Sequence, residues 1–395
     1  MSSVPGPAPT ISIVLPAYNR ADTIDRALDS VQAQTRDDWE LVVVDDGSKD
    51  DTADRVAARG DARIRLIRQP NGGVASARNT ALAASRGRLI TFLDSDDAWL
   101  PDFLALTAGF LEAEPDRQFV LTEFDQDRGD GRPIRPNIDG IEMYAAFARS
   151  IGSFALAMPD GESDTYLRVY ATREPLGDWA RPALQARGQA SAWLYRGDLF
   201  PAMRWGYLAW LPATMMTRHA LETIGPFRTG VRTAEDYLFL GRLAQSFPAS
   251  LVGLVAARKH ERGVDASRLG QEHLATGANA FAFELNKMTH FRELYADEFA
   301  RDPELALILR HYQLYTGLSG LMAGRRREAM PHLRAAACWK PHLRRAWALL
   351  ALAHLLPSDR LMQRTMQAGV LATGVLERLA SGEMTLAELA GKLAG

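Results

Sequence analysis

Short apolar runs that alternate with helical patterns dominate the first 125 residues and constrain the fold more than any other feature. Leu41–Val44 is apolar at every position and Ile11–Leu15 at every position but Ser12, and both are rich in β-branched residues, which is typical of strands buried on both faces. Between them, Ile24, Leu28 and Val31 recur at the spacing of one helical face. Strands that alternate with helices form βαβ units, so the sequence predicts an α/β fold with a parallel central sheet. The other predicted strands of this region are Ile64–Ile67, Leu89–Leu93 and Phe119–Phe124.

The pattern changes twice towards the C-terminus. Gln126–Arg204 is rich in Gly, Pro and Arg without sustained periodicity, so we interpret it as an insertion with one helix near Glu142–Arg149. Strand and helix patterns return from Leu208 onward, and beyond about residue 269 the pattern is almost entirely helical. We therefore predict one α/β domain over residues 1–268, with the insertion at about 126–204, and an α-helical C-terminal region over residues 269–395.

Composition and motif content exclude several classes of protein. The net charge of −2 lacks the basic excess that nucleic-acid binding requires. Cys338 is the only cysteine, which excludes an internal disulfide and a cysteine-based zinc site. With no secretory signal and no run of about 18 apolar residues, we expect a cytoplasmic protein without a transmembrane helix. The phosphate loop, the dinucleotide-binding glycines, the zinc-protease motif and the nucleophile elbow are also absent, which argues against those nucleotide hydrolases, dehydrogenases, proteases and α/β-hydrolases.

Polar clusters follow four of the predicted strands, where ligands bind in parallel sheets. In the most informative cluster, Asp94, Asp96 and Asp97 repel one another unless a cation or hydrogen-bond donors compensate. Mg and Mn prefer such oxygen ligands and often bridge carboxylates to a substrate diphosphate. The alternative is that Asp97 caps the next helix, although this leaves Asp94 and Asp96 unexplained. The four clusters are Pro16–Asn19, Asp45–Ser48, Gln69–Gly73 and Asp94–Asp97.

The other candidate residues each have a plain structural alternative. Asp46 lies in an ordinary turn sequence, but beside the acidic cluster it could accept hydrogen bonds from a base or ribose. Gly72 is typical of a turn, yet glycine at a helix start also lets backbone approach a phosphate. Arg78 is either a solvated helix residue or an anion clamp. Asp236 is either an acidic residue that the helix dipole favours in a first turn or a residue that takes part in the reaction. A lone histidine such as His260 is more often structural than a ligand.

Taken in order along the chain, these motifs resemble the family 2 glycosyltransferases of the GT-A fold, which implies an α/β fold with a mixed, mostly parallel central sheet. The similarity extends from Ile11 to about Ser267. The insertion at 126–204 is longer than the family's usual connection, and the helical tail lies outside its catalytic core. The motifs are Val14–Asn19, Val44–Ser48, Asn71–Gly73 with Ala77–Asn79, Leu93–Asp97, Ile224–Phe227 and Glu235–Asp236.

The resemblance implies an activity and a role for each candidate residue. The expected reaction is the metal-dependent, inverting transfer of a sugar from a nucleotide-sugar to a hydroxyl of a saccharide or lipid-linked acceptor, and the resemblance implies UDP as the nucleotide. It implies that Asp236 is the general base and that Asp96, with His260, holds a divalent Mn or Mg ion. The residues expected to bind the nucleotide-sugar are Pro16, Tyr18, Asp46, Gly72, Arg78, Asp94 and Ser95.

Two alternative functions, a sugar nucleotidylyltransferase and an inactive binding protein, fit the motifs of this chain less well. A sugar nucleotidylyltransferase needs a Gly-rich, Arg-bearing loop after the first strand, where this chain has Pro16–Asn19. A catalytically inactive nucleotide-sugar-binding or scaffold protein has no need of Asp94, Asp96 and Asp236 together. Turnover separates the scaffold from the enzyme, because a binding module shows affinity without product.

Two further hypotheses concern regions outside these motifs. Aromatic residues after the insertion, Trp205, Tyr207 and Trp210, either shape an acceptor pocket with it or fill the core. The helical tail mixes basic and apolar residues, notably in Arg325–Arg327 and Trp339–Trp347. This tail either packs against the catalytic domain or makes peripheral contact with the inner membrane through residues near 325–350.

Overall fold

Two compact units make up the chain. The computed structural model describes residues 9–127, 134–150, 153–231, 233–260, 278–338 and 350. The first unit contains Met1–Arg149 and Phe154–Val264, and the second contains Ser150–Ser153 and Asp265–Gly395. The predicted boundary at residue 268 stays a prediction, because residues 261–277 lie outside the described ranges.

A single mixed sheet forms the centre of the first unit. Its described strands follow the order β3-β2-β1-β4-β9-β6-β10-β8-β7, and β5 pairs with β10. Only β5, β8 and β9 run against the direction of the other described strands, so the predicted α/β fold with a mixed, mostly parallel sheet is confirmed. The strands are β1 (Ile11–Ala17), β2 (Trp39–Asp45), β3 (Ile64–Arg68), β4 (Leu89–Phe92), β5 (Ala98–Trp99), β6 (Phe119–Asp127), β7 (Thr172–Pro175), β8 (Trp193–Gly197), β9 (Thr214–Thr217) and β10 (Ala249–His260).

Helices cover the sheet and make up the described part of the second unit, which confirms the predicted helical C-terminal region. No helix among the described residues is long and apolar enough to cross a membrane. The first unit has α1 (Ile24–Gln32), α2 (Thr52–Ala57), α3 (Val74–Ala84), α4 (Phe103–Ala113), α5 (Pro136–Ser150), α6 (Arg181–Ala186), α7 (Phe200–Met203), α8 (Arg218–Ile224) and α9 (Glu235–Ser246). The second has α10 (Ala278–Leu294), α11 (Pro303–Met322) and α12 (Arg326–Ala336).

The central strands are buried along their whole length. All seven residues of β1 and all seven of β2 are buried, as expected for mostly apolar strands that are covered on both faces, and the buried polar residues include Ser12, Glu40 and Asp45. Their parallel register places Ala17 opposite Asp45 at the last pair. The polar residues after both strands therefore begin at the same level of one sheet edge, which is where the site lies.

The insertion contributes more structure than its sequence predicts. Its helix near Glu142–Arg149 is present as part of α5. The insertion also contains β8, which pairs with β10, and β7, which pairs with β8 at the sheet edge. All four residues of β7 are exposed and the strand ends in proline, so it lacks the hydrophobic alternation that marks a strand.

Strand β10 is longer than predicted, pairs irregularly with β6 and reaches the sheet edge that carries the polar clusters. The sequence predicts a strand over Ser250–Ala256, whereas β10 continues to His260. Its register against β6 shifts between Val252 and Val255 and again between Val255 and Ala257. Such bulges re-aim a strand without ending it, so β10 delivers His260 to the edge.

At the opposite end of the sheet, the buried carboxylate of Glu40 joins neighbouring segments. Ser12 Oγ donates to Glu40 Oε1 at 2.7 Å, and the Arg86 amide donates to the same oxygen at 2.6 Å. Arg65 and the Arg86 side chain donate to Oε2 at 3.0 Å each. Burial by itself raises the pKa of Glu40, but these hydrogen bonds outweigh it and hold the pKa below its usual value.

We predict that Glu40→Gln lowers the free energy of unfolding by about 1–3 kcal/mol near neutral pH, because the amide leaves buried donors without a charged acceptor. A lowered carboxyl pKa stabilises the fold above the unfolded value of about 4.3 and loses that effect as pH falls through the folded value. Urea unfolding of both proteins therefore gives a difference that shrinks in acid. Asp178→Asn, in an exposed pair with Arg181, is the control and should change stability by less than about 1 kcal/mol. Equal stability of Glu40→Gln and the wild type near neutral pH would contradict the assignment.

Candidate functional site

The loops after β1 and β2 are bound to each other at the sheet edge. Asn19 has a φ of 51°, a left-handed conformation that asparagine tolerates better than most residues. Its amide donates to Ser48 Oγ at 2.9 Å, and its Oδ1 accepts from the Lys49 amide at 2.9 Å. Tyr18, just before it, is 41% exposed, so its ring is available to stack on a ligand. Pro16 is buried in β1 opposite Val44 and does not present its ring to solvent.

The carboxylate of Asp46 shapes the loop that follows β3. It is buried and accepts hydrogen bonds from Gln69 Nε2 at 2.7 Å, the Gly72 amide at 2.9 Å and the Gly73 amide at 2.8 Å. Gly73 directly precedes α3 and has a φ of 87°. A residue with a side chain would adopt this backbone conformation only under strain. The amides of Gly72 and Gly73 thus bind a carboxylate of the protein itself, and the alternative that Gly72 lets the backbone approach a phosphate stays a prediction.

Arg78 of α3 connects two acidic segments of the edge. It is 4% exposed, and its two terminal nitrogens donate to Glu235 Oε1 at 2.6 Å and to Asp94 Oδ1 at 2.8 Å. Its guanidinium also lies 5.3 Å from the centre of the Phe227 ring. Burial by itself lowers the pKa of Arg78, but the charges of Asp94 and Glu235 raise it above its usual value. Arg78 is thus a buried charge paired with two carboxylates, and the solvated-residue alternative is wrong.

The acidic cluster after β4 separates into exposed and buried members. Asp94 and Asp96 each have 29% of their side chains exposed, whereas Ser95 and Asp97 are buried. Burial raises the pKa of Asp97 well above its usual value, and the nearby charges of Asp94 and Asp96 raise it further. Asp97 Oδ1 accepts from the His260 amide at 2.9 Å. The capping alternative is wrong, because β5 separates Asp97 from α4.

Asp96 and His260 lie at the same corner of the sheet. β10 pairs antiparallel with β5, with Arg258 opposite Ala98, and the His260 amide donates to Oδ1 of Asp97, the residue after Asp96. Arg20 also reaches this corner, with its Nε 3.7 Å from Asp96 Oδ2. Sequence reasoning missed Arg20, although it follows the first polar cluster directly.

Within the described residues, no group of three or more His, Cys, Asp or Glu side chains is arranged to hold a metal ion. The corner instead fits the mode in which one or two protein ligands bind a divalent cation together with substrate phosphates. Asp96 is exposed enough to bind in this way, and His260 is half-buried beside it.

Asp236 lies in the first turn of α9, next to Glu235, the helix residue that pairs with Arg78. α9 starts with Glu235 and Asp236 after Ala234, which has a left-handed φ of 60°. Asp236 Oδ1 accepts hydrogen bonds from the Tyr207 hydroxyl and, at 3.0 Å, from the Tyr237 amide. Burial and then the charge of Asp236 raise the pKa of Glu235, against the opposing charge of Arg78.

The aromatic residues after the insertion have different environments. Trp205 is 1% exposed and fills the core, so the hypothesis that it lines an acceptor pocket is wrong. Trp210 packs against Phe124 with ring centres 4.5 Å apart and is partly buried at the hydrophobic core. Tyr207, by contrast, contacts Asp236. The sequence cannot distinguish these three environments, because an aromatic residue that fills the core and one that contacts a ligand can have the same neighbours along the chain.

Comparison with known proteins adds family and fold information. Residues 12–159 match the family model described as glycosyl transferase family 2. TuaG of Bacillus subtilis (strain 168), named for teichuronic acid biosynthesis, is 32% identical over 192 residues, which cover 47% of this chain and 71% of TuaG. The UDP-Glc:alpha-D-GlcNAc-diphosphoundecaprenol beta-1,3-glucosyltransferase WfgD of Escherichia coli is 45% identical over 97 residues, which cover 24% of this chain and 38% of WfgD.

The whole fold has a counterpart among solved structures. The crystal structure of S. aureus TarS 1–349 in complex with UDP-GlcNAc is similar with a TM-score of 0.52 and covers 92% of both chains. Sequence identity is 16%, so this likeness concerns the fold alone. It confirms the predicted GT-A-type fold.

We predict that Arg78→Ala lowers the free energy of unfolding by about 3–5 kcal/mol, because it leaves Glu235 as an unpaired buried charge. Arg78→Lys should lose less, since it keeps the charge but cannot make both contacts with one planar fork. Chemical unfolding of the two variants checks this order. Arg55→Ala, which removes a half-exposed ion pair with Asp25, is the control and should cost less than about 1 kcal/mol. Stability of Arg78→Ala close to that of this control would show that Arg78 does not join the two segments.

Proposed function

The chain belongs to glycosyl transferase family 2 and is therefore a glycosyltransferase, and we propose that it is a metal-dependent, inverting enzyme that uses a UDP-sugar. One observation carries this proposal. Arg78 joins the partly exposed acidic cluster after β4 to the start of α9, where Asp236 lies. A diphosphate-binding corner and a candidate base thus flank the same edge of the sheet, which is the arrangement that a single displacement at a sugar carbon requires.

The donor proposal rests on groups near the ends of β1 and β4, of which Tyr18 is exposed and Asp94 and Asp96 are partly exposed. Tyr18 offers a ring for the nucleotide base, and Asp94, Ser95 and Asp96 lie where the diphosphate would bind. Support for UDP comes from the relatives, since the name of WfgD gives UDP-Glc as its donor and TarS was crystallised with UDP-GlcNAc. Asp46 and Gly72 contribute by shaping the adjacent loop.

The metal would bind at the corner formed by Asp96 and His260, together with the diphosphate. When bound, a divalent cation stabilises the negative charge that develops on the departing nucleoside diphosphate. Arg20 reaches the same corner, so its guanidinium adds a positive charge beside Asp96.

Asp236 would act on the acceptor. Its carboxylate takes the proton of the acceptor hydroxyl while that oxygen attacks the anomeric carbon and the bond to the diphosphate breaks. A single carboxylate suffices for this displacement, and the configuration at the anomeric carbon inverts.

A lipid-linked saccharide in surface polysaccharide synthesis is the proposed acceptor. The name of WfgD specifies a diphosphoundecaprenol-linked acceptor, and TuaG is named for teichuronic acid biosynthesis. Peripheral contact with the inner membrane would suit such an acceptor. Arg325 and Arg327 are exposed near the start of α12, whereas Trp339–Trp347 lies outside the described residues.

The direct test is a panel of nucleotide-sugars incubated with the full chain, Mn and a lipid-linked saccharide extract. Release of UDP that needs both Mn and the extract supports the proposal. Thermal stabilisation by a nucleotide-sugar without any product would instead identify a binding or scaffold protein.

For the metal corner, Asp96→Ala should remove most turnover and abolish the strengthening of UDP binding by Mn, because the ion loses its proposed carboxylate ligand. The fold should persist, since Asp96 is partly exposed. Calorimetric titration of UDP with and without Mn measures the effect. Asp116→Ala, an exposed carboxylate after α4, is the control. Full activity and unchanged Mn-dependent binding in Asp96→Ala would refute the assignment.

For the base, Asp236→Asn should lower kcat by about two to four orders of magnitude, because the amide cannot accept the acceptor proton. Donor affinity should stay within about twofold of the wild type, since the substitution preserves shape. Steady-state kinetics and donor titration separate the two quantities. If donor affinity fell as far as kcat, Asp236 would be a binding residue instead.

A further inference from the structure

The candidate base has a hydrogen-bond donor that belongs to none of the motifs. Tyr207 lies between α7 and β9, and its hydroxyl donates to Oδ1 of Asp236. The Tyr237 amide donates to the same oxygen at 3.0 Å. Among the residues that the structure describes, no hydrogen bond reaches the other oxygen, Oδ2. The carboxylate is therefore held through one oxygen, which leaves the second to face a substrate.

The insertion fixes the position of Tyr207. Its amide donates to the hydroxyl of Tyr144, on α5, at 3.3 Å. Tyr144 fits here only because residue 206 is glycine, since a Cβ at Gly206 would lie 1.8 Å from the Tyr144 ring. On the other side, the rings of Tyr207 and Tyr237 are 5.3 Å apart. Because Tyr207 is packed on two sides, its hydroxyl has a fixed position from which it can orient the carboxylate of Asp236.

The charge state of Tyr207 suits a donor. Burial raises its pKa well above the usual value, and the charge of Asp236 raises it further. The phenol therefore stays protonated wherever the enzyme is active, so it cannot itself serve as the base.

We propose that Tyr207 is a positioning residue for the base: its hydroxyl holds Oδ1 of Asp236 so that Oδ2 receives the acceptor proton. This inference rests on the proposed function. In the reaction, the acceptor oxygen forms a bond to the anomeric carbon, its proton moves to Oδ2, and the nucleoside diphosphate leaves with the electron pair of the broken bond. The phenol keeps its own proton throughout.

A positioning role differs from a purely structural one in what its loss changes. Loss of the hydroxyl should lower kcat and leave donor binding unchanged, because the phenol contacts the carboxylate of Asp236.

The test is Tyr207→Phe. We expect kcat to fall by about 10- to 100-fold with donor KM within about twofold. The matched control is Tyr195→Phe, which removes a 2.8 Å hydrogen bond from a tyrosine to Asp164 elsewhere in the fold. The control should leave kcat unchanged. A folded Tyr207→Phe variant with the kcat of the wild type would overturn the inference.

A double-variant cycle separates this inference from the proposed function. In the Asp236→Asn background, Tyr207→Phe should have no further effect on kcat, because its action passes through the carboxylate. If Asp236→Asn alone keeps full activity, the proposed base is wrong. If Asp236→Asn is inactive but the two losses multiply, only the role of Tyr207 is wrong.

Should Tyr207→Phe fail to fold, 3-fluorotyrosine at position 207 gives an independent answer. It preserves the ring and changes the donor strength of the hydroxyl, so kcat should change while donor KM stays within about twofold. A kcat equal to that of the wild type would overturn the inference.

Discussion

Arg78 carries a buried positive charge between Asp94 and Glu235, and the arrangement of the site depends on this pairing. Removing a guanidinium from water costs several kcal/mol, and only well-placed carboxylates offset that cost. The partner on α9 lies 157 residues away along the chain. The ion triad thus ties the end of β4 to the start of α9, and it sets the acidic cluster and Asp236 on one framework.

Hydrogen bonds to backbone amides stabilise the other parts of the edge. Asp46 holds the loop before α3 through two backbone amides, and Asp97 holds the end of β10 through the His260 amide. The insertion takes part as well, because Tyr144 of α5 supports Tyr207. The buried carboxylates bind backbone amides and hold the loops in place, while the partly exposed carboxylates are available for ligands. The degree of burial thus separates the structural carboxylates from those that can bind a ligand.

The sequence predicts what periodicity and strand ends encode. The mostly apolar central strands are predicted, and so is the edge where Asp94 and Asp96 lie, because burial on both faces leaves a strong local signal. The two residues of β5 and the exposed β7 leave none, so they were missed. Long-range pairs such as Arg78 with Glu235 are invisible for another reason, since nothing local to either residue specifies its partner. The buried state of Trp205 is likewise a property of the packed fold.

The central claim is that Asp236 and the diphosphate corner act on opposite sides of one sugar carbon in a single displacement. The anomeric configuration of the transferred sugar tests this most directly, and proton NMR of the freshly formed product reads it from the coupling constant of the anomeric proton. The account predicts a configuration opposite to that in the nucleotide-sugar donor. A product that retains the donor configuration would contradict it, because retention requires a second displacement or a different reacting face.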